Sequence, residues 1–151
     1  MEFPQMIRLR NNFEASAAID IDREIVSGFR KLTPAKTVKA GASVAVGCSS
    51  RGIANYPAIV KATVGCLKDV GLTPFLFPAM GSHGAATAEG QKKVMENYGV
   101  SENYIGAPIR SSLDTVQIGE TEDGVPVLID KIASQADYIV LINRIKSHTE
   151  F

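Results

Sequence analysis

Three side chains in this sequence have types suited to chemistry: its two histidines, His83 and His148, and one arginine, Arg51. Each follows an apolar run that reads as a β-strand. Arg51 comes after "SVAVGC", His83 after "PFLFPAM" and His148 after "DYIVLINRIK". In an open parallel sheet the loops leaving the carboxyl ends of the strands gather along one edge, and ligands bind there. Three strand exits of this kind can surround a single crevice. An unperturbed imidazole titrates near ~6.5, so it takes or gives a proton at working pH. A guanidinium adds a planar fork that matches a carboxylate or phosphate better than lysine does. Two imidazoles facing one anionic ligand suggest proton transfer. If they flank one carbon, one removes a proton on one face and the other returns a proton on the opposite face, which fits a racemase or epimerase.

The stretch around His83, "MGSHGAATAEG", sharpens this expectation. Gly81 and Gly84, on either side of Ser82 and His83, let backbone approach a ligand closely, and a helix opening near Thr87 would direct free N–H groups and the positive end of its dipole at an anion. Taken singly, each feature has a plainer reading. A histidine in a turn more often caps a helix or packs a loop, a surface arginine more often forms an ion pair, and "GSHG" alone is a weak turn signal. The coincidence of three strand exits is what favours a shared site. Other titratable groups lack that support: Glu89, Lys92, Lys93 and Glu96 read as a solvated helix face, Asp130 as a helix cap and "ETED" as an exposed turn. No metal-ligand spacing surrounds either histidine, so no metal site is expected from these residues. The glycines match neither a P-loop nor the dinucleotide fingerprint, which disfavours ordinary NAD binding.

The elements that must position these residues are legible from periodicity. "MIRLR" reads as a first strand and "IDIDREIVSGFRKL" as a helix that Asp20 or Asp22 can cap. "SVAVGC" is a continuous apolar run of the kind buried in parallel sheets. A helix follows with Pro57 in its first turn and Ile59, Thr63, Cys66, Leu67 and Val70 at helical spacing, ending at Gly71. "TPFLFPAM" is the next strand, and Thr87 caps a helix that stops at Gly99. "SENYIGAP" reads as loop. "TVQIGETEDGVPVLI" reads as a hairpin turning at Asp123-Gly124 beside the main sheet, "DKIASQA" as a short helix and "DYIVLINRI" as a buried strand. Alternating strands and helices with two-sided apolar strands imply an α/β fold, a predominantly parallel sheet covered by helices on both faces with an added β-hairpin.

At 151 residues and 45% hydrophobic content the chain fits one ordinary domain with a sizeable core. Sixteen basic residues balance sixteen acidic ones, so no general field attracts nucleic acid or an acidic membrane. No leader pattern opens the chain and no apolar run approaches the ~20 residues that span a bilayer; a cytoplasmic location is expected. Cys48 and Cys66 form no CxxC pair and read as reduced thiols. Residues 1–151 read as one unit, and the abrupt stop at "INRIKSHTEF" suggests a fragment of a longer two-domain protein.

The segments "SSRGIANYPAIVKA", "PAMGSHGAATAEGQ", "RSSLDTVQIGETEDGVPV" and "INRIKSHTEF" resemble the amino-terminal domain of the lactate racemase family, from about Ser43 to Phe151. The resemblance implies a nickel-pincer-nucleotide enzyme that inverts 2-hydroxy acids through a transient 2-keto acid. His83 and His148 match the two catalytic histidines of that family and Arg51 the arginine that holds the substrate carboxylate. Gly81, Ser82 and Gly84 are the residues of the histidine turn expected to touch the cofactor. The lysine that tethers the cofactor and the histidine that ligates nickel lie further along in the family, beyond the end of this chain. A second domain of the same protein is therefore the expected partner, and this piece alone is expected to be inactive. The family carries an acidic residue where this chain has Cys48. The alternative expectation is a non-catalytic module that binds phosphate or a nucleotide at the same sheet edge; a structural homologue with an assembly role is a further one.

Overall fold

The computed structural model describes residues 7–10, 12, 18–32 and 38–145, so His148 lies outside the described residues. The elements run α1 (Ile21–Lys31), β1 (Ser43–Cys48), α2 (Tyr56–Asp69), β2 (Thr73–Pro78), α3 (Ala88–Asn97), α4 (Glu102–Ile105), β3 (Thr115–Glu120), β4 (Pro126–Asp130), α5 (Lys131–Ser134) and β5 (Tyr138–Ile142). β1, β2 and β5 form a parallel sheet in the order β2-β1-β5, while β3 and β4 pair separately as an antiparallel hairpin. The fold is α/β.

Apolar residues alternate across β1 and sort onto two faces. Val44, Val46 and Cys48 point at α2, where Val60, Val64 and Leu67 meet them; Leu76, Met95, Val100 and Ile105 complete that core. Each fully buried aliphatic side chain contributes about 1.5–3 kcal/mol relative to exposure. Ala45, with Phe75 and Phe77 of β2, faces the other way and packs on Ala133 of α5. Right-handed crossovers account for the split: β1 leads through α2 to a strand on one side, and the chain returns through α5 to a strand on the other side, so the two helices must lie on opposite faces. α5 is short, so Ile139 and Leu141 of β5 remain 42% and 66% exposed. β5 is therefore a half-covered edge strand among the described residues, where the sequence reads as a buried one. The outer edge of β2 is covered by Pro108–Arg110, which bonds to Leu76 in parallel fashion.

Local signals explain the boundaries. Asp20 caps α1, Thr87 caps α3 and Asp130 caps α5, each accepting a backbone N–H three residues on. α2 and α3 close identically. Gly71 and Gly99 adopt left-handed φ of 80°, their N–H groups reach Lys68 and Glu96, and the next residues, Leu72 and Val100, bond back to Leu67 and Met95.

Two expectations are corrected. Ile7–Arg10 form no strand, and Ile7 and Leu9 are 82% and 90% exposed; a short apolar segment without a pairing partner has nothing to hold it extended. "SENYIGAP" is not all loop, because Ser101 accepts the Tyr104 N–H and starts α4, whose Ile105 reaches the core. Among the described residues, no helix is long and apolar enough to cross a membrane.

Candidate functional site

Register brings the three strand exits level. Cys48, the last residue of β1, lies opposite Pro78 of β2 and Ile142 of β5, so the chain leaves all three strands at the same height. β1 is also where the strand order reverses, since its connection runs to one face and the connection into β5 runs over the other. A crevice forms at such a switch point. There a cavity of about 230 Å³ is lined by Ser49, Ser50, Arg51, Ala79, Met80, Gly81, His83 and Asn143. Arg51 and His83, from the first two exits, thus share one cavity. The third exit contributes Asn143, and His148 follows in the segment outside the described residues.

The loop carrying Arg51 is held at each residue around it. Ser49 donates its N–H to the Tyr56 hydroxyl (2.6 Å) and accepts the Arg51 N–H at its own hydroxyl (3.0 Å). Tyr98 donates to the Ser50 carbonyl (3.0 Å) and Arg144 to the Gly52 carbonyl (3.2 Å). Tyr56, only 2% exposed, also reaches the Ile142 carbonyl at 3.5 Å, so one phenol links the exits of β1 and β5. Burial drives its hydroxyl to a raised pKa, with Cys48 adding to the shift, so it stays protonated. The Arg51 guanidinium itself is half-buried, and no carboxylate among the described residues lies within ion-pair distance of it. A cation so placed is available to an anionic ligand.

The histidine turn is anchored from α3. Gln91, 4% exposed, donates its amide to the Gly81 carbonyl at 2.7 Å. His83 is exposed and its ring caps no helix, so it is not occupied by the plainer role a turn histidine often has. Gly81 has a φ of 60° with open space where a side chain would be. The next three residues after His83, Gly84, Ala85 and Ala86, all have left-handed φ values of 68°, 57° and 50°. Left-handed alanine costs roughly 1–2 kcal/mol per residue, and such strain persists only where the surroundings impose it. Here Gly84 does so by packing directly on the backbone of Gly90 in α3.

That contact gives Gly84 a packing reason to be glycine. Gly84 is small enough to admit α3, and it does not line the cavity; nor does Ser82, although it is exposed. The N-terminus of α3 stands outside the lining of this cavity. Thr87 caps its first turn at 3.0 Å, Glu89 adds a negative charge there, and no α3 residue lines the cavity.

Cys48 lies beneath the site and does not line it. Fully buried, its thiol is pushed up to about 11 by desolvation, opposed by its contact with Tyr56. It is a neutral packing group at working pH, and Cys66 is a second free, buried thiol. Sequence reasoning missed Tyr56, Gln91 and Asn143. A signal existed for two: Tyr56 falls four residues before Val60, and Gln91 four before Met95, so each is a polar side chain on the buried stripe of its helix.

Among the described residues, no group of three or more His, Cys, Asp or Glu side chains comes together to hold a metal. No curated protein and no solved structure matches the chain. The family model described as the lactate racemase N-terminal domain matches residues 17–151, and the chain belongs to that family.

Proposed function

We propose that the full-length protein is a racemase or epimerase of 2-hydroxy acids, to which this chain contributes the amino-terminal domain of two. The observation that carries the reading is the single cavity shared by Arg51 and His83 at level strand exits, with His148 a short distance along the chain from Asn143 in the same cavity.

In this reading the substrate carboxylate sits on the Arg51 guanidinium, which has no competing acid nearby among the described residues. Its hydroxyl then faces His83, and the imidazole takes the hydroxyl proton as the centre flattens toward a keto acid. His148 serves the opposite face, so the proton can return with inversion. The nickel-pincer nucleotide of the family would supply, when bound, both the acceptor for the hydride that leaves the substrate carbon and the donor that gives it back to the opposite face, so that the product has the same atoms with the centre inverted. Gly81 and Ser82 fit the edge of such a group: both are exposed, and Gly81 leaves open space where a side chain would stand. Gly84 does not fit it, because its α-carbon faces Gly90. In this reading the groups that tether the cofactor and ligate nickel belong to the second domain of a two-domain, cytoplasmic protein, and the amino-terminal domain by itself does not invert substrate.

Chirality assays on the full-length, cofactor-loaded protein with a panel of 2-hydroxy acids test this. Inversion of at least one acid is expected, falling by ~10²–10⁴ in His83→Ala. Absence of inversion with every acid, or unchanged turnover in His83→Ala, overturns it.

A further inference from the structure

We propose that Asn143 is a substrate-binding residue whose amide N–H donates to the 2-oxygen of the hydroxy acid, an inference that rests on the function proposed above. Asn143 is the first residue after β5 and lines the same 230 Å³ cavity as Arg51 and His83. Its side-chain oxygen is engaged, since the Arg144 N–H donates to Asn143 Oδ1 at 2.8 Å and only the carbonyl oxygen can accept that bond. The Nδ2 amino group is therefore turned away from that bond, and no acceptor for it lies within hydrogen-bond distance among the described residues. The side chain is exposed rather than packed, so its donor is open to a ligand.

The cavity divides the substrate's needs among three side chains. A bidentate guanidinium satisfies both carboxylate oxygens. A hydroxyl has one proton to give and lone pairs to fill. Given to His83, the proton leaves the oxygen able to accept from Asn143. As the O–H bond breaks, negative charge grows on that oxygen, and an N–H donor held within the same cavity lowers the barrier. Arg51 is spent on the carboxylate and His83 is the proton acceptor, so Asn143 is the donor left for this role among the cavity's charged and amide side chains.

The test uses the full-length, cofactor-loaded protein and two non-reacting probes. 2-Hydroxyisobutyrate has no hydrogen on its hydroxyl-bearing carbon, and pivalate is the same carboxylate with a methyl in place of the hydroxyl. The ratio of their dissociation constants isolates recognition of the hydroxyl from that of the carboxylate. Asn143→Asp keeps the oxygen that accepts the Arg144 N–H but replaces the donor; Asn143→Ala removes the side chain. Any uniform effect of the new charge cancels in the ratio. The wild type should prefer 2-hydroxyisobutyrate, and both variants should lose about tenfold of that preference while the inversion rate falls ~10²-fold. A preference fully retained in both variants overturns the role of Asn143 and leaves the hydroxy-acid reading intact. A wild type with no preference for the hydroxylated probe overturns that reading and this inference together.

Discussion

Two cavities meet at the exit of β2 and share Ala79, Met80 and Gly81. The larger, about 550 Å³, opens over the half-covered face of the sheet beneath the hairpin and is walled by Phe77, Leu113, Leu128, Ile139 and Leu141. Its acids are already engaged: Asp130 caps α5 and Asp114 pairs with Lys131 at 3.6 Å. The smaller, about 230 Å³, has the side chains of Arg51, His83 and Asn143 with no partner for their donors among the described residues, and a ring of hydrogen bonds holding its loops. Volume alone would favour the larger cavity, which is not the one the proposed function uses. Unspent polar groups on firmly held backbone are what favour the smaller one in that proposal, since catalysis depends on positioned groups and not on space.

The strongest way to break this comparison is to cut one side chain in each cavity. In the full-length enzyme His83→Ala should lower inversion by ~10²–10⁴, whereas Leu128→Ala, on an exposed side chain of the apolar crevice, should leave the rate within about twofold. Equal losses from both would mean that the crevice, not the polar cavity, shapes the reaction.

Removing the anchor beneath the polar cavity comes next. Tyr56→Phe leaves the Ser49 N–H without its acceptor under a buried ring, which should cost about 1–3 kcal/mol of stability and weaken carboxylate binding at Arg51 because the loop loses its hold on β5. Chemical unfolding and probe binding measure the two effects. Stability lost with binding unchanged would separate the phenol from the site.

A third comparison sets two helical glycines against each other. A Cβ on Gly28 in α1 would meet nothing within 4 Å, while a Cβ on Gly90 would overlap the Gly84 carbonyl oxygen and meet Thr87 Oγ1 at 2.7 Å. Gly28→Ala should therefore stabilise by about 0.5–1 kcal/mol. Gly90→Ala should destabilise by about 1–3 kcal/mol and disturb His83, although both changes favour helix. Thermal unfolding of the pair reads the sign; stabilisation by both would show that the Gly84 turn yields freely and that its left-handed alanines carry no imposed strain.

The parts legible in the sequence were those governed by local periodicity and by punctuation. "SVAVGC", the helix begun by Pro57, "TPFLFPAM" and the Thr87-capped helix are strands and helices at those places because apolar spacing and glycine stops agree. The convergence of Arg51 and His83 was also readable, because parallel topology alone aligns strand exits. What escaped depends on tertiary partners. Nothing local distinguishes "MIRLR" from a strand until pairing is known, nor β5 from a central strand until its covering is known. Gly84 and Gly90 could not be matched from sequence, since their contact is made by a turn of three left-handed residues. Asn143 looks like any residue after a strand until its oxygen is seen to be taken and its amide left over.

The smallest effect contrasts the two ends of β1. At the carboxyl end the side chains of Arg51 and His83 are unpartnered among the described residues; at the amino end the polar groups are spent on structure. Ser43 donates its N–H (2.8 Å) and hydroxyl (2.7 Å) to Asp137 Oδ2, and the Asp137 N–H returns to the Ser43 hydroxyl at 3.0 Å. These bonds hold the Asp137 carboxyl below its ordinary value of 3.8. A carboxylate lowered in the folded state binds fewer protons there than in the unfolded chain, so its contribution is complete above the ordinary value and fades as pH falls through the lowered one. Asp137→Asn keeps an acceptor oxygen but removes the charge. The variant should be slightly less stable than the wild type at neutral pH and approach it as pH falls below the ordinary carboxylate value and through the lowered one, with the difference kept small because the clasp is open to solvent. Inversion by the full-length enzyme should not change, because the clasp lies at the opposite end of the strand from Arg51. A stability gap that stays constant across the acid range would assign the clasp to hydrogen-bond geometry alone, and a fall in inversion would mean that the two ends of β1 are coupled through the sheet.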